Sequence, residues 1–331
     1  MSTSNLVVGA AQKKYNLILV TNPAICQPWD FQLLARMVLD IAPDIEVIIH
    51  EDRPVVWHQN PERDNRPTLT FSPGPLRYFR PFGGVVFQGL SLGKSQECAA
   101  MDHFGIPVPR WTLLTNNSRP DLSDFGPYVV VKPDRSGRGA DVTVQRKGKV
   151  RWRQPKTVFT RSLGGDSCDW IIQDFIYTGE HPVSYRVSSL FGEPLWAWRV
   201  DGSRDKPVLR DRLGFRDGGI SIASSGKGCS FSLIEDREIF SLAKQAHRAF
   251  PQIPLLGIDI LRDVETGRLY VIEVNAVGYT WALSSPMGIN VQRQFGFDID
   301  AHFGVRRHAA SLLSNQVKQL TARPNSVHRF T

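Results

Sequence analysis

The chain has 331 residues, 41% hydrophobic and 22% charged, an ordinary soluble composition with room for two or three packed units. Its net charge of +8 suits an anionic ligand, but the arginines are dispersed, with no basic run of five and no zinc-finger spacing, which argues against nucleic acid as partner. No apolar run is long enough to span a membrane, and Cys26, Cys98, Cys168 and Cys229 form neither a CxxC pair nor a metal-ligand spacing. Reduced thiols, and a Met1–Lys14 stretch without the apolar core of a signal peptide, lead to the expectation of a cytoplasmic protein.

Tyr15–Thr21 (YNLILVT) has the pattern of a buried strand, ended by Asn22-Pro23. Trp29–Ile41 is predicted to be an amphipathic helix with Phe31, Leu34, Met37, Val38 and Ile41 on one side, and Ile45–His50 a second strand. This β-α-β start predicts a parallel, doubly wound layer, and without GxGxxG it does not indicate a dinucleotide site. Gln59–Thr68 reads as a polar loop and Gly84–Phe87 as a third strand, the whole region being scaffold. Ser95–Phe104 is a predicted helix, stopped by Gly105, Pro107 and Pro109, with Lys94 at its entrance.

Tyr128–Val131 is a predicted strand running into Lys132-Pro133 and the loop Asp134–Ala140, after which Val142, Val144 and Val150 suggest a returning strand pair. A strand, a lysine and a Gly/Ser-rich loop make a reasonable phosphate grip, because glycines let backbone N–H groups approach oxygens and lysine adds a charged donor. An ordinary hairpin turn has the same appearance, and the P-loop pattern is absent. Strands follow at Trp170–Ile176, Val183–Leu190 and Leu195–Val200. Arg186 lies among apolar residues and needs an anion, either a structural carboxylate or a group on a ligand. Arg199, Arg210, Arg212 and Arg216 add positive charge before a helix predicted at Ile234–Ala249.

Leu255–Asn275 (LLGIDILRDVETGRLYVIEVN) reads as a hairpin about Asp263–Gly267. Folding the chain at Thr266 sets Asp259 opposite Glu273. Alternation then puts Ile258, Ile260, Ile272 and Val274 on one face, with Gly257, Asp259, Glu273 and Asn275 on the other. Facing carboxylates repel. A hard divalent cation relieves the repulsion, with Asn275 as a further oxygen ligand; the alternative is an edge hairpin whose carboxylates face water. Gly278–Asn290 reads as a Gly/Ser/Pro loop carrying Trp281, Ile299–Leu320 as largely helical, and Thr321–Thr331 as a polar tail.

The segments GKSQECAAMDHFGIPVPRW, VVVKPDRSGRGADV, IIQDFIYTGEHPVSYRV and GIDILRDVETGRLYVIEVN occur in this order between about Leu90 and Asn275. In them the chain resembles the ATP-grasp superfamily, closest in pattern to its RimK-like and glutathione-synthetase-like carboxylate–amine ligases. The resemblance implies an α/β architecture: an amino-terminal parallel-sheet pre-ATP-grasp domain (1–90), then a two-lobed ATP-grasp domain of α+β character (91–305, small lobe about 125–178). A carboxy-terminal helix and tail (306–331) would follow. It implies ATP and Mg²⁺, or Mn²⁺, as cofactors. Lys94 and Lys132 would contact ATP phosphates, Lys132 also lying near the adenine, and Ser136, Gly137, Arg138 and Gly139 would form the loop over the phosphates. Gln173, Asp174, Phe175 and Ile176 would line the adenine and Glu180 or His181 would meet the ribose. Asp259, Glu273 and Asn275 would hold the metal, while Arg186 and Arg212 orient an acyl phosphate. The implied substrates are a small carboxylate and an amine, or an acidic peptide; a non-catalytic ATP-binding scaffold is the third reading, and a homodimer is compatible with any of them. Ser184 stands where the RimK-like pattern has an acid, and AVGYTWALSS replaces a short Ser-Pro-Gly turn; both lie on the acceptor side.

Overall fold

The computed structural model describes residues 12–137, 139–156, 169–202, 228–276 and 280–320; Arg138, Cys168, Arg210, Arg212 and Arg216 lie outside the described residues. The first sheet is built on β1 (Tyr15–Thr21), whose Leu17–Val20 are fully buried. After α1 (Pro28–Ile41), β2 (Ile45–Glu51) pairs with β1 in parallel. The stretch expected to be a loop contains a short helix, α2 (Pro61–Asp64), capped by Asn60, and ends where β3 (Thr68–Phe71) begins. With β4 (Val85–Phe87) the order is β2-β1-β3-β4, parallel as predicted for the amino-terminal region but not doubly wound, since long helices pack on one side alone among the described residues. Phe31, Leu34 and Val38 of α1 share a core with Leu17, Leu19 and residues of the carboxy-terminal helix Val305–Gln319. Ile18 and Val20 instead pack with Phe79, Trp57 and Phe82, so loops cover this side of the sheet.

The helix expected at Ser95–Phe104 is α3 (Lys94–His103), which begins at Lys94 itself. A small antiparallel sheet follows, in the order β5-β8-β6-β7: β5 (Trp111–Leu114), β6 (Tyr128–Pro133), β7 (Thr143–Arg146) and β8 (Trp170–Asp174). One strand returns here, where a pair was expected. β7 ends at Arg146, and Val150 comes after a 3₁₀ turn, packed in a cluster with Val129, Val131 and Trp170.

The third sheet is antiparallel, in the order β11-β10-β9-β12-β13. Its strands are β9 (Val183–Leu190), β10 (Glu193–Asp201), β11 (Ser230–Leu233), β12 (Leu255–Arg262) and β13 (Leu269–Asn275). Helix α4 (Arg237–His247), N-capped by Asp236, packs Ile239, Leu242, Ala243 and Ala246 against Val187, Leu256, Ile258 and Ile260. Trp196, Trp198, Leu190 and Leu255 join the core of the first sheet, so one apolar cluster spans both layers. The presumed Gly278–Asn290 loop contains the start of α5 (Pro286–Phe295): Ser285 caps it, Pro286 occupies its first turn, and Gly296 ends it at φ +69°. Two more helices, α6 (Ile299–Phe303) and α7 (Val305–Gln319), follow. Among the described residues no helix is long and apolar enough to cross a membrane.

Candidate active site

The hairpin forms with the expected register at its functional end: Asp259 pairs with Glu273 and Gly257 with Asn275. Its loop is held by Asp263, whose carboxylate accepts the N–H groups of Glu265 and Thr266, and by Gly267 at φ +71°. One feature departs from strict alternation. Ile260 pairs with Val271, so Ile272 is the extra residue of a β-bulge. In consequence Val271, not Ile272, is buried beside Ile258, Ile260 and Val274.

The two carboxylates are held by cations rather than left facing water. Arg186 pairs with Asp259 across β9 and β12, and its Nε and Nη2 donate to the two carboxylate oxygens at 2.7 and 2.6 Å. Asn275 Nδ2 donates to the same carboxylate at 3.1 Å. Lys94 Nζ lies 3.4 Å from Glu273 Oε1 and donates to the Ser136 carbonyl at 2.8 Å. Lys132, also buried, donates to the Ile272 carbonyl at 2.9 Å. Burial pushes Glu273 up, but Lys94, Lys132 and Arg186 outweigh it and hold its carboxyl below the usual range. Burial acts in the opposite sense on Lys132 and holds its ammonium below the usual lysine range, despite Glu273 nearby.

Lys94 is placed by its own helix. Asp134, just beyond β6, caps α3: its carboxylate accepts the Ser95 N–H at 2.7 Å and its carbonyl accepts the Lys94 N–H at 3.1 Å. Gly93 permits this contact, since a Cβ there would stand 2.5 Å from Asp134 Oδ2. Sequence reasoning missed Glu97, one turn further along α3. Its carboxylate is buried, accepts the Val274 N–H at 3.2 Å, and is pushed up to about 8, first by burial and then by Glu273, with Lys94 opposing. The Lys94–Glu97 spacing of three, which puts both side chains on one helix face, was the available signal.

The other expected residues divide. Ser136 contributes its carbonyl to Lys94, and Gly139 takes φ +69° in the loop; Arg138 and Arg212 are outside the described residues. Gln173 is buried and its amide donates to Cys98 Sγ at 3.3 Å, so it faces α3. Asp174, the next residue on the strand, points to the opposite face from Gln173, and its carboxylate accepts the Gly126 N–H at 2.9 Å. Phe175 packs with Tyr128, Val144 and Tyr177, Ile176 is buried, and Glu180 is exposed.

Among the described residues no group of three or more His, Cys, Asp and Glu is arranged for a metal. Asp259 and Glu273 with the Asn275 amide form a smaller, all-oxygen donor set. That set fits a hard cation that keeps water or phosphate among its ligands. Lys94 pairs with Glu273 and Arg186 with Asp259, so the donor set is flanked by positive charge.

No protein-family model and no curated protein matches the sequence. Among solved structures, D-cycloserine synthetase DcsG is similar at 15% identity, over 91% of this chain and 99% of that one, with a TM-score of 0.51. The ATP-grasp ligase PsnB, complexed with a phosphomimetic variant of its minimal precursor, Mg and ADP, is similar at 13% identity, over 92% of this chain and 100% of that one, with a TM-score of 0.50. PsnB with the minimal precursor itself, Mg and ADP, is similar at 12% identity, over 92% and 98%, also at 0.50. With its parallel amino-terminal sheet, its small antiparallel lobe and the sheet that bears the carboxylate hairpin, the chain has the fold of the ATP-grasp ligases.

Proposed function

We propose that this chain is an ATP- and Mg²⁺-dependent carboxylate–amine ligase that acts through an acyl phosphate on a small metabolite or amino acid. The observation that carries the reading is the hairpin: Asp259 opposite Glu273, with Asn275 beside them and Lys94 and Lys132 on the same flank. The fold supports it, as do the similar structures of the synthetase DcsG and of the ligase PsnB complexed with Mg and ADP.

In this reading Asp259, Glu273 and Asn275 would hold Mg²⁺, which would supply charge neutralisation at the phosphoryl oxygens. Lys94 and Lys132 bind phosphate oxygens, and the Ser136–Gly139 loop covers them. Gln173, with the backbone at Phe175 and Ile176, lies on the adenine side, and Glu180 is the ribose candidate. A substrate carboxylate oxygen attacks the γ-phosphorus and ADP leaves. The amine nitrogen then attacks the acyl carbon, inorganic phosphate leaves, and one proton is released as the amide forms. The protein's work is positioning and charge neutralisation, to which Arg186 and Arg212 contribute on the acyl side. Closure of the loop excludes water, which would hydrolyse the acyl phosphate. The buried free thiols of Cys26 and Cys98 suit a reducing, intracellular setting.

A second reading is favoured by the net charge of +8 and by the precursor in the PsnB complexes: the acceptor is an acidic peptide. Phosphate and ADP release from Mg·ATP, measured against amino acids, dipeptides and acidic peptides, tests both. Stimulation by one class identifies the acceptor; the absence of any ADP formation with every member would count against catalysis.

A further inference from the structure

β13 is the outer strand of its sheet, and an outer strand leaves backbone groups without ladder partners. Three of them are met from outside the sheet. Val271 N–H donates to the Pro107 carbonyl at 2.8 Å, the Ile272 carbonyl accepts from Lys132 Nζ at 2.9 Å, and Val274 N–H donates to Glu97 Oε2 at 3.2 Å. The second and third contacts bracket Glu273, and Val274 lies between Glu273 and Asn275. Glu97 is only 6% exposed. Burying a carboxylate there is costly unless its charge and its oxygens are both used. It shares its surroundings with Lys94, Lys132 and Glu273.

We propose that Glu97 is a positioning residue of the nucleotide–metal site. Its carboxylate anchors the Val274 N–H and so sets the direction of the two flanking ligands, Glu273 and Asn275, without touching cation or nucleotide itself. The inference rests on the Mg·ATP reading of the hairpin. An anchor of this kind acts on metal ligands from behind, as an outer-shell partner does, where loss typically weakens metal affinity by about 10–100-fold.

The test is equilibrium binding of ADP across a Mg²⁺ titration, with wild type, Glu97→Met, Glu97→Asp and Glu97→Gln. Methionine fills the volume without an acceptor. Aspartate keeps the carboxyl group but is one methylene short of Val274. Glutamine keeps an acceptor oxygen at the same reach and cannot ionise. The expected result is a half-saturating Mg²⁺ concentration raised about tenfold or more in Glu97→Met and Glu97→Asp, with Mg²⁺-free ADP binding within about threefold of wild type and near-complete rescue in Glu97→Gln. Should the methionine variant not fold, the aspartate variant carries the same expectation. A wild-type Mg²⁺ dependence in Glu97→Asp overturns the positioning role while leaving the ligase reading in place. So does a glutamine variant as impaired as the aspartate one. Wild type that binds no ADP at any Mg²⁺ concentration overturns the ligase reading, and this inference with it.

Discussion

Arg186 and Asp259 form a two-pronged pair on neighbouring strands, both largely shielded from water. Removing one partner of such a pair leaves the other charge uncompensated, which costs about 3 kcal/mol. Asp259→Ala is therefore expected to lower stability by about that amount in urea denaturation, besides weakening metal binding. His247 makes a different kind of prediction. Its Nε2–H donates to the Ile253 carbonyl at 2.9 Å and its Nδ1 lies 2.8 Å from Ser189 Oγ. Burial depresses its pKa to about 4 from the ordinary histidine value of 6.5. Between those values the unfolded chain takes up a proton that the folded chain refuses. The contribution is complete above pH 6.5 and lost as pH falls to about 4, up to about 3 kcal/mol by linkage. Denaturation free energies measured from pH 7 to 4 should show this slope, and His247→Gln should flatten it. Neither environment was legible from the chain: Arg186 stood out as a charge among apolar residues, but its partner depended on the strand order β9-β12, and nothing in one helix says that Ser189 and Ile253 close over His247.

The hairpin was the most readable element, since a Gly-containing turn between two β-branched runs fixes the pairing of residues equidistant from it. Its bulge was not readable. No glycine marks it, and the turned-out Ile272 carbonyl is satisfied by Lys132, a residue 140 positions away. The strands that escaped notice, β3, β5 and β11, have four residues each, too few for alternation to show. Helix α5 hid in a Gly/Ser/Pro stretch, although Ser285-Pro286 is a cap followed by proline in the first turn. At α3 the decisive contact is the Asp134 cap, which ties the helix to the glycine loop. Asp134→Ala should cost about 1 kcal/mol of stability. It should also raise the KM for ATP more than it lowers kcat, because it frees Lys94 from the loop it serves; steady-state kinetics at varied ATP separate the two effects.

The molecule is joined across its layers at Asp30. This fully buried carboxylate on α1 accepts Trp281 Nε1 at 2.6 Å, from the segment after the metal candidate Asn275, and Arg306 Nε at 2.5 Å, from α7. Its loss should therefore weaken the first and third sheets together. Asp30→Ala is expected to cost about 3–5 kcal/mol and to shift a single cooperative transition without splitting it; separate transitions in calorimetry would contradict the shared core. The order of the motifs made this architecture foreseeable, but the Asp30 link was out of reach, because it joins residues 251 and 276 positions apart. If the hairpin carboxylates hold the cation that presents ATP, nucleotide affinity must depend on both the carboxylates and the cation. The most direct test is ADP binding with and without Mg²⁺ in wild type and Glu273→Ala. Mg²⁺ is expected to tighten binding in wild type, and Glu273→Ala to lose this gain while still binding ADP without metal. A Glu273→Ala protein whose binding responds to Mg²⁺ as wild type does would contradict this role of the hairpin.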